Sequence, residues 1–242
     1  MEKVQDYVDT VNAPWGKMFY DLLFMQLNLS PEPKLKILDF GSGLGVTSSY
    51  YAAWHDVTAI DQNKEMIDCR FVQNEYTQIH GGIEQVNNFA DNTFDIVFCH
   101  NVLEYIEDKE PILKLLFRLL KVGGKLSVVK HNRVGRVIHT AVFRNSPEKA
   151  LSIMDEGAND ANQYLGTQYI YSNDQLIEWA ARDGGELVDF LGMRAFWALG
   201  QDNAVKFDDD WYENMLALEY KAASIDEYRQ AAFLHHLIFE RR

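Results

Sequence analysis

The 242-residue chain carries 36 acidic against 23 basic residues, a formal charge of −13, and is 47% hydrophobic. That apolar content can fill one large core, so residues 1–242 are expected to form a single domain, and the acidity argues against a general nucleic-acid binder, DNA above all. Two cysteines, an acidic N-terminus and no apolar run near the roughly 20 residues of a membrane span point to a soluble, reduced, cytoplasmic protein with no membrane partner.

Short apolar runs alternate with longer helical patterns along the chain, which calls for parallel strands joined by crossover helices. The first strand, residues 36–40, runs into Gly41-Ser42-Gly43-Leu44-Gly45, where residues without a Cβ let backbone N–H groups meet a ligand. The second, 57–60, ends on Asp61, twenty residues after Gly41, and a carboxylate there can accept both hydroxyl hydrogens of a ribose. Loop and acid together imply a bound nucleoside. Val46 stands where a dinucleotide fingerprint has its third glycine, and no Gly-Lys-Ser/Thr follows to hold a triphosphate.

Further strands are expected at 76–80, 94–99 and 125–130. The helix before the last of these puts Ile112, Leu115, Leu116, Leu119 and Leu120 on one stripe, starts near Pro111 and is expected to stop at Gly123-Gly124. Cys69 falls in a helical stretch and Cys99 in a buried strand, which suits free thiols better than a disulfide. Residues 131–171 exceed an ordinary connection and carry helical periodicity at Val134, Val137, Ile138, Ala141 and Val142. An insertion there hangs over the carboxyl ends of the strands, so it is expected to be a lid or substrate-binding element. Ser172-Asn173-Asp174 cap a later helix through Leu176, Ile177, Trp179 and Ala180, which Gly184-Gly185 stop. Strands at 186–191 and 233–239 flank a helix at 209–220 whose Trp211, Met215, Leu216 and Leu218 are expected in the core.

Residues 37–45, 59–61, 94–105 and 119–124 resemble the ordered motifs of class I S-adenosylmethionine-dependent methyltransferases, above all in Asp91-Asn92-Thr93-Phe94-Asp95-Ile96-Val97-Phe98-Cys99-His100-Asn101-Val102-Leu103-Glu104. The resemblance implies an α/β, Rossmann-like class I methyltransferase fold: a seven-stranded, mostly parallel sheet with helices on both faces and a helical insertion after strand five. It implies S-adenosyl-L-methionine as cofactor, with contacts at Asp39, Gly41, Ser42, Gly43, Asp61, Gln62 and His100. The family's N-terminal arginine for the methionine carboxylate falls at Phe19, leaving Lys17 as its replacement. The usual acid for the adenine amino group falls at Ile83, with Glu84 next to it. The sequence offers no clear metal-ligand constellation.

His131-Asn132, Gly192-Met193-Arg194-Ala195-Phe196 and the spacing from Trp211-Tyr212-Glu213 to Glu219 are similar to the bacterial tRNA 5-carboxymethoxyuridine methyltransferases. That likeness implies the carboxylate of a modified wobble uridine in a tRNA anticodon loop as acceptor. A carboxylate is ionised at neutral pH and needs only orientation, which falls to Arg194 and Asn132. A hydroxyl, phenol or amine would need a base, for which His131 is first and His139 second. From Pro111 to Pro147 there are eight Lys or Arg and no acid. Lys114, Arg118 and Lys121 suit a solvated helix face, whereas Lys130, Arg133 and Arg136 are expected to give a positive field beside the pocket. A small-molecule O- or N-methyltransferase with an anionic acceptor, and a non-catalytic S-adenosylmethionine-binding protein, are the alternatives, and the protein is expected as a monomer or homodimer.

Overall fold

The computed structural model describes residues 2–156, 161–162 and 166–242. Strands β1 (Lys36–Phe40), β2 (Asp56–Asp61), β3 (Thr77–His80), β4 (Phe94–His100), β5 (Leu120–His131), β6 (Gly185–Met193) and β7 (Leu234–Arg241) form one sheet in the order β3-β2-β1-β4-β5-β7-β6. β1 to β5 run parallel, and β7 lies antiparallel between β5 and β6. This is the seven-stranded, mostly parallel sheet that the motifs implied. The strand order reverses between β1 and β4, which opens a crevice beyond their carboxyl ends.

Because successive strand residues face opposite sides, each strand feeds two cores. Leu38, Phe40, Val97, Cys99, Leu126 and Val128 pack under α6 (Glu110–Leu119) and α9 (Asn173–Arg182). On the other face Ile37 and Phe98 pack on Tyr51 of α3 (Val46–Tyr51), and Val129, Met193 and Leu234 pack on Met18, Leu22 and Leu23 of an early helix. That helix, which for labelling is α2 (Pro14–Leu27), follows α1 (Glu2–Asn12). Neither had been anticipated, although Val4, Tyr7, Val8 and Val11 sit at i, i+3, i+4 and i+7 and pack on Leu44 and Met66. The remaining helices are α4 (Lys64–Asp68), α5 (Ile83–Val86), α7 (Arg133–Val142), α8 (Pro147–Glu156), α10 (Asp209–Ala222) and α11 (Asp226–Ala231). No described helix is long and apolar enough to cross a membrane.

Two local expectations are corrected. The glycine pair 123–124 does not stop α6: the helix ends at Leu119, and β5 already begins at Leu120 and runs through both glycines. Backbone pairing captures the chain first, as the N–H groups of Asn92 and Thr93 donate to Arg118 O (3.1 Å) and Leu119 O (2.8 Å). In α10, Trp211, Met215 and Leu216 pack against the α2 cluster, but Leu218 is 46% exposed. The cap at Ser172 forms as read, with a reciprocal bond to Gln175, and both cysteines are free thiols. Residues 131–171 contain α7, α8 and a short hairpin, Ala161–Asn162 with Gly166–Thr167.

Candidate active site

A cavity of about 640 Å³ lies over the crevice beyond β1 and β4. Its floor is the loop after β1. Gly41 takes φ +77°, and a Cβ there would stand 2.3 Å from Val102 Cγ2, so only glycine lets this backbone pass beneath the chain after β4. Asp61, at the tip of β2, fixes the loop: Oδ2 accepts from Gly43 N–H (2.7 Å) and Oδ1 from Asn63 N–H (2.7 Å). Each oxygen keeps a second lone pair for a ribose hydroxyl. Asp39, the penultimate residue of β1, is 3% exposed and accepts from Ser48 Oγ (2.6 Å). Burial, with Asp61 adding to it, pushes its carboxyl up to about 6, while the Ser48 bond opposes that rise.

Among the described residues, the predicted positions that line the cavity are Asp39, Gly41, Ser42, Gly43, Asp61, Gln62, Ile83, His100, His131 and Arg194. Three others do not. Lys17 is drawn to Asp21 (2.8 Å) and over the Tyr212 ring (3.9 Å), and its side chain is 60% exposed. Glu84 turns back on Gly82, accepting its N–H at 2.7 Å, so this part of the wall is Ile83 rather than a carboxylate. Asn132 is 5% exposed and fully used: its side-chain amide donates to Gln230 O and Ala232 O (2.8 Å each) and its oxygen accepts from Val134 N–H (3.2 Å). It is a latch for α7, not an acceptor contact.

The upper wall is the part that sequence reasoning missed. Tyr7, Thr10, Trp15, Phe19 and Tyr20 of α1 and α2 line the cavity, whereas residues 131–171 contribute His131 alone among those described. Burial raises the Tyr20 phenol well above its ordinary value, and neighbouring Tyr7 and Asp39 raise it further. The amphipathic spacing of α1 was the available signal.

Arg194 follows β6 with φ +61°, a backbone region costly for any residue but glycine. Glu219, 1% exposed, holds that turn by accepting the N–H groups of Ala195 (2.8 Å), Phe196 (2.8 Å) and Trp197 (2.6 Å). Its carboxylate is thereby occupied. Arg194 makes no ion pair among the described residues; it lies over Phe233 at 5.4 Å, and burial lowers its guanidinium to about 10. His131 Nδ1 sits 2.8 Å from Oε1 of Glu104, itself 3% exposed. His139 does not line the cavity, and burial, then Arg144, Arg194, Lys206 and Arg136, lowers it to about 4. The three cations expected beside the pocket are not free to face it. Lys130 and Arg136 are 3% and 6% exposed, and Arg133 is spent on Ile153 O (3.0 Å) and Met154 O.

The cavity fits a nucleoside cofactor with a polar tail. Ser42 Oγ, His100 Nδ1 and Asn101 Oδ1 are buried, have no hydrogen-bond partner among the described residues, and belong to residues on the cavity wall. A polar ligand tail would complete such atoms.

Residues 38–128 match a family model described as a methyltransferase domain. The chain is 25% identical over 219 residues to the tRNA 5-carboxymethoxyuridine methyltransferase of Escherichia coli strain K12, covering 87% of this chain and 81% of that one. It is 28% identical over 164 residues to a ubiquinone biosynthesis O-methyltransferase of Coxiella burnetii, 65% of this chain and 66% of the other. Solved structures of S-adenosylmethionine-dependent methyltransferases share the fold. One from Thermotoga maritima aligns with a TM-score of 0.60 at 16% identity, over 99% and 96% of the two chains. One from Mesorhizobium loti aligns at 0.57 and 12%, over 94% and 97%. With a glycine loop, a carboxylate at the tip of β2 and an unfilled set of polar atoms above the same sheet, the chain carries a methyltransferase domain over residues 38–128, on the fold that solved S-adenosylmethionine-dependent methyltransferases share.

Proposed function

We propose that the protein methylates a carboxylate, that of 5-carboxymethoxyuridine at the wobble position of tRNA. One observation carries this reading: Arg194 is a cation on the cavity wall whose carboxylate neighbour, Glu219, is already engaged by three backbone N–H groups and forms no ion pair with it. An acceptor carboxylate would complete it with charge-assisted hydrogen bonds, to which guanidinium geometry is suited. Arg136 and Lys206 add positive charge close behind, as their depression of His139 attests. The bound cofactor supplies the methyl group on a sulfonium. An ionised carboxylate needs no base, so the work left to the protein is to hold the nucleophile in line and exclude water, with Phe19, Phe233 and Leu234 as apolar walls. Likeness to the tRNA enzyme over most of both chains supports the same acceptor. Arg194→Ala is expected to raise the acceptor KM or lower kcat roughly 10- to 100-fold while leaving affinity for S-adenosylhomocysteine unchanged. Loss of that affinity in the folded variant would move Arg194 to the cofactor.

A second reading, a small-molecule O-methyltransferase, is favoured by the Glu104–His131 pair. A buried carboxylate on Nδ1–H leaves Nε2 as the basic nitrogen, the arrangement of a general base for a hydroxyl acceptor. Glu104→Gln separates the two. Under the carboxylate reading turnover keeps its pH profile; under the hydroxyl reading kcat falls by roughly 10² or more, with its acid limb displaced.

A further inference from the structure

A chain of buried hydrogen bonds runs from α2 through the sheet into the cofactor cavity, and its proton order can be fixed link by link. Gln26 is 8% exposed and donates its Nε2–H to Gly192 O at 2.9 Å, which turns Oε1 toward His236 Nδ1, also at 2.9 Å. Oε1 can only accept, so His236 carries its proton on Nδ1. Burial lowers His236 to about 3 and keeps it neutral, so Nε2 is an acceptor. Its donor is Ser127 Oγ–H at 2.8 Å. With that hydrogen committed, Ser127 Oγ accepts from His100 Nε2 at 2.8 Å. His100, held neutral by burial and then by His236, therefore has a bare lone pair on Nδ1. That atom is buried, has no partner among the described residues, and belongs to a residue on the cavity wall.

The ligand group that meets it must be a donor. Asp61 would take the cofactor's ribose hydroxyls, and the apolar side formed by Ile83, Val102 and Ile106 would suit its adenine. The adenine amino group would stay with its base on that apolar side, which leaves the ammonium of the methionine as the donor that could reach His100. Asp39 pairs in register with Phe98, two residues before His100, so Asp39 and His100 share one face of the sheet, and both line the cavity. We infer that His100 is a positioning residue whose Nδ1 receives the methionine ammonium, in a tautomer imposed by Ser127, His236 and Gln26. The inference rests on the cofactor assignment and adds to it the means by which the amino-acid end is oriented.

Calorimetry with S-adenosylhomocysteine and with 5′-methylthioadenosine, which lacks the amino-acid tail, tests this together with ¹⁵N NMR of histidine-labelled protein. Wild-type His100 should show an unprotonated Nδ1. Ser127→Ala should weaken S-adenosylhomocysteine roughly tenfold and leave 5′-methylthioadenosine within about twofold, whereas Ser127→Thr, which keeps the hydroxyl, should bind both as wild type does. His100→Phe should repeat the selective loss. Equal losses for the two ligands in both variants would make the chain merely structural, and no loss, or a protonated Nδ1 in wild type, would overturn the inference. Failure of wild type to bind either ligand would instead overturn the cofactor assignment.

Discussion

Asp39 sets stability against binding in a single side chain. Its folded value is raised from an ordinary 3.8 to about 6, so its contribution to folding is most favourable below pH 4 and is lost as pH rises through 6. The cost at neutral pH is at most about 3 kcal/mol. Asp39→Asn, which can still accept from Ser48, should gain stability over wild type at pH 7.5 but hardly at pH 4; urea unfolding curves that differ equally at both would refute this. The same variant should bind S-adenosylhomocysteine more weakly, since the cofactor's cationic tail loses its carboxylate. Asp61→Ala should cost roughly 1–3 kcal/mol of cofactor binding by calorimetry, through lost ribose bonds and a loop whose Gly43 and Asn63 N–H groups are orphaned. These acids were readable from sequence because a strand tip and a glycine loop are local signals. Side chains whose partners lie far along the chain were not. Asn132 is claimed by Gln230 and Ala232, 98 and 100 residues away, and Lys17 by Tyr212 as well as its neighbour Asp21. The Glu104–His131 bond was equally out of reach, as it joins the turn after β4 to the end of β5.

The elements that shape the site divide in the same way. Strands of the parallel sheet announced themselves as short apolar runs, and the capping box at Ser172 marked α9; Ser172→Ala should cost about 1 kcal/mol in thermal unfolding. The cover of the cavity did not announce itself. Attention fell on the long insertion, yet α1 and α2 supply the described upper wall, because a helix becomes a wall only through what it packs on. α7 is held by close approach: a Cβ on Gly135 would stand 2.1 Å from Ala232 O and 2.7 Å from Phe233 Cα. Gly135→Ala should force α7 away, break the Asn132 latch and destabilise by about 1–3 kcal/mol. Because His131 immediately precedes that latch, acceptor KM should rise as well; a variant with lowered Tm and unchanged KM would separate α7 from the site.

At the scale of the whole molecule, a charge of −13 opposes a polyanion, and of the cations that follow β5, Lys130 and Arg136 are buried and Arg133 is engaged by backbone carbonyls. A polyanion should therefore be held by its acceptor nucleotide more than by its backbone. The logarithm of tRNA affinity should fall with the logarithm of salt at a slope of about −1 to −2, where six or more phosphate contacts would give −5 or steeper. The central claim, a carboxylate acceptor on tRNA, is met most directly by incubating the protein with tritiated S-adenosylmethionine and bulk tRNA from a strain lacking this methylation, then digesting the RNA and separating its nucleosides. The account predicts label on a wobble uridine as a base-labile ester. An absence of label on tRNA that contains the acceptor uridine, from protein shown to bind the cofactor, would contradict it.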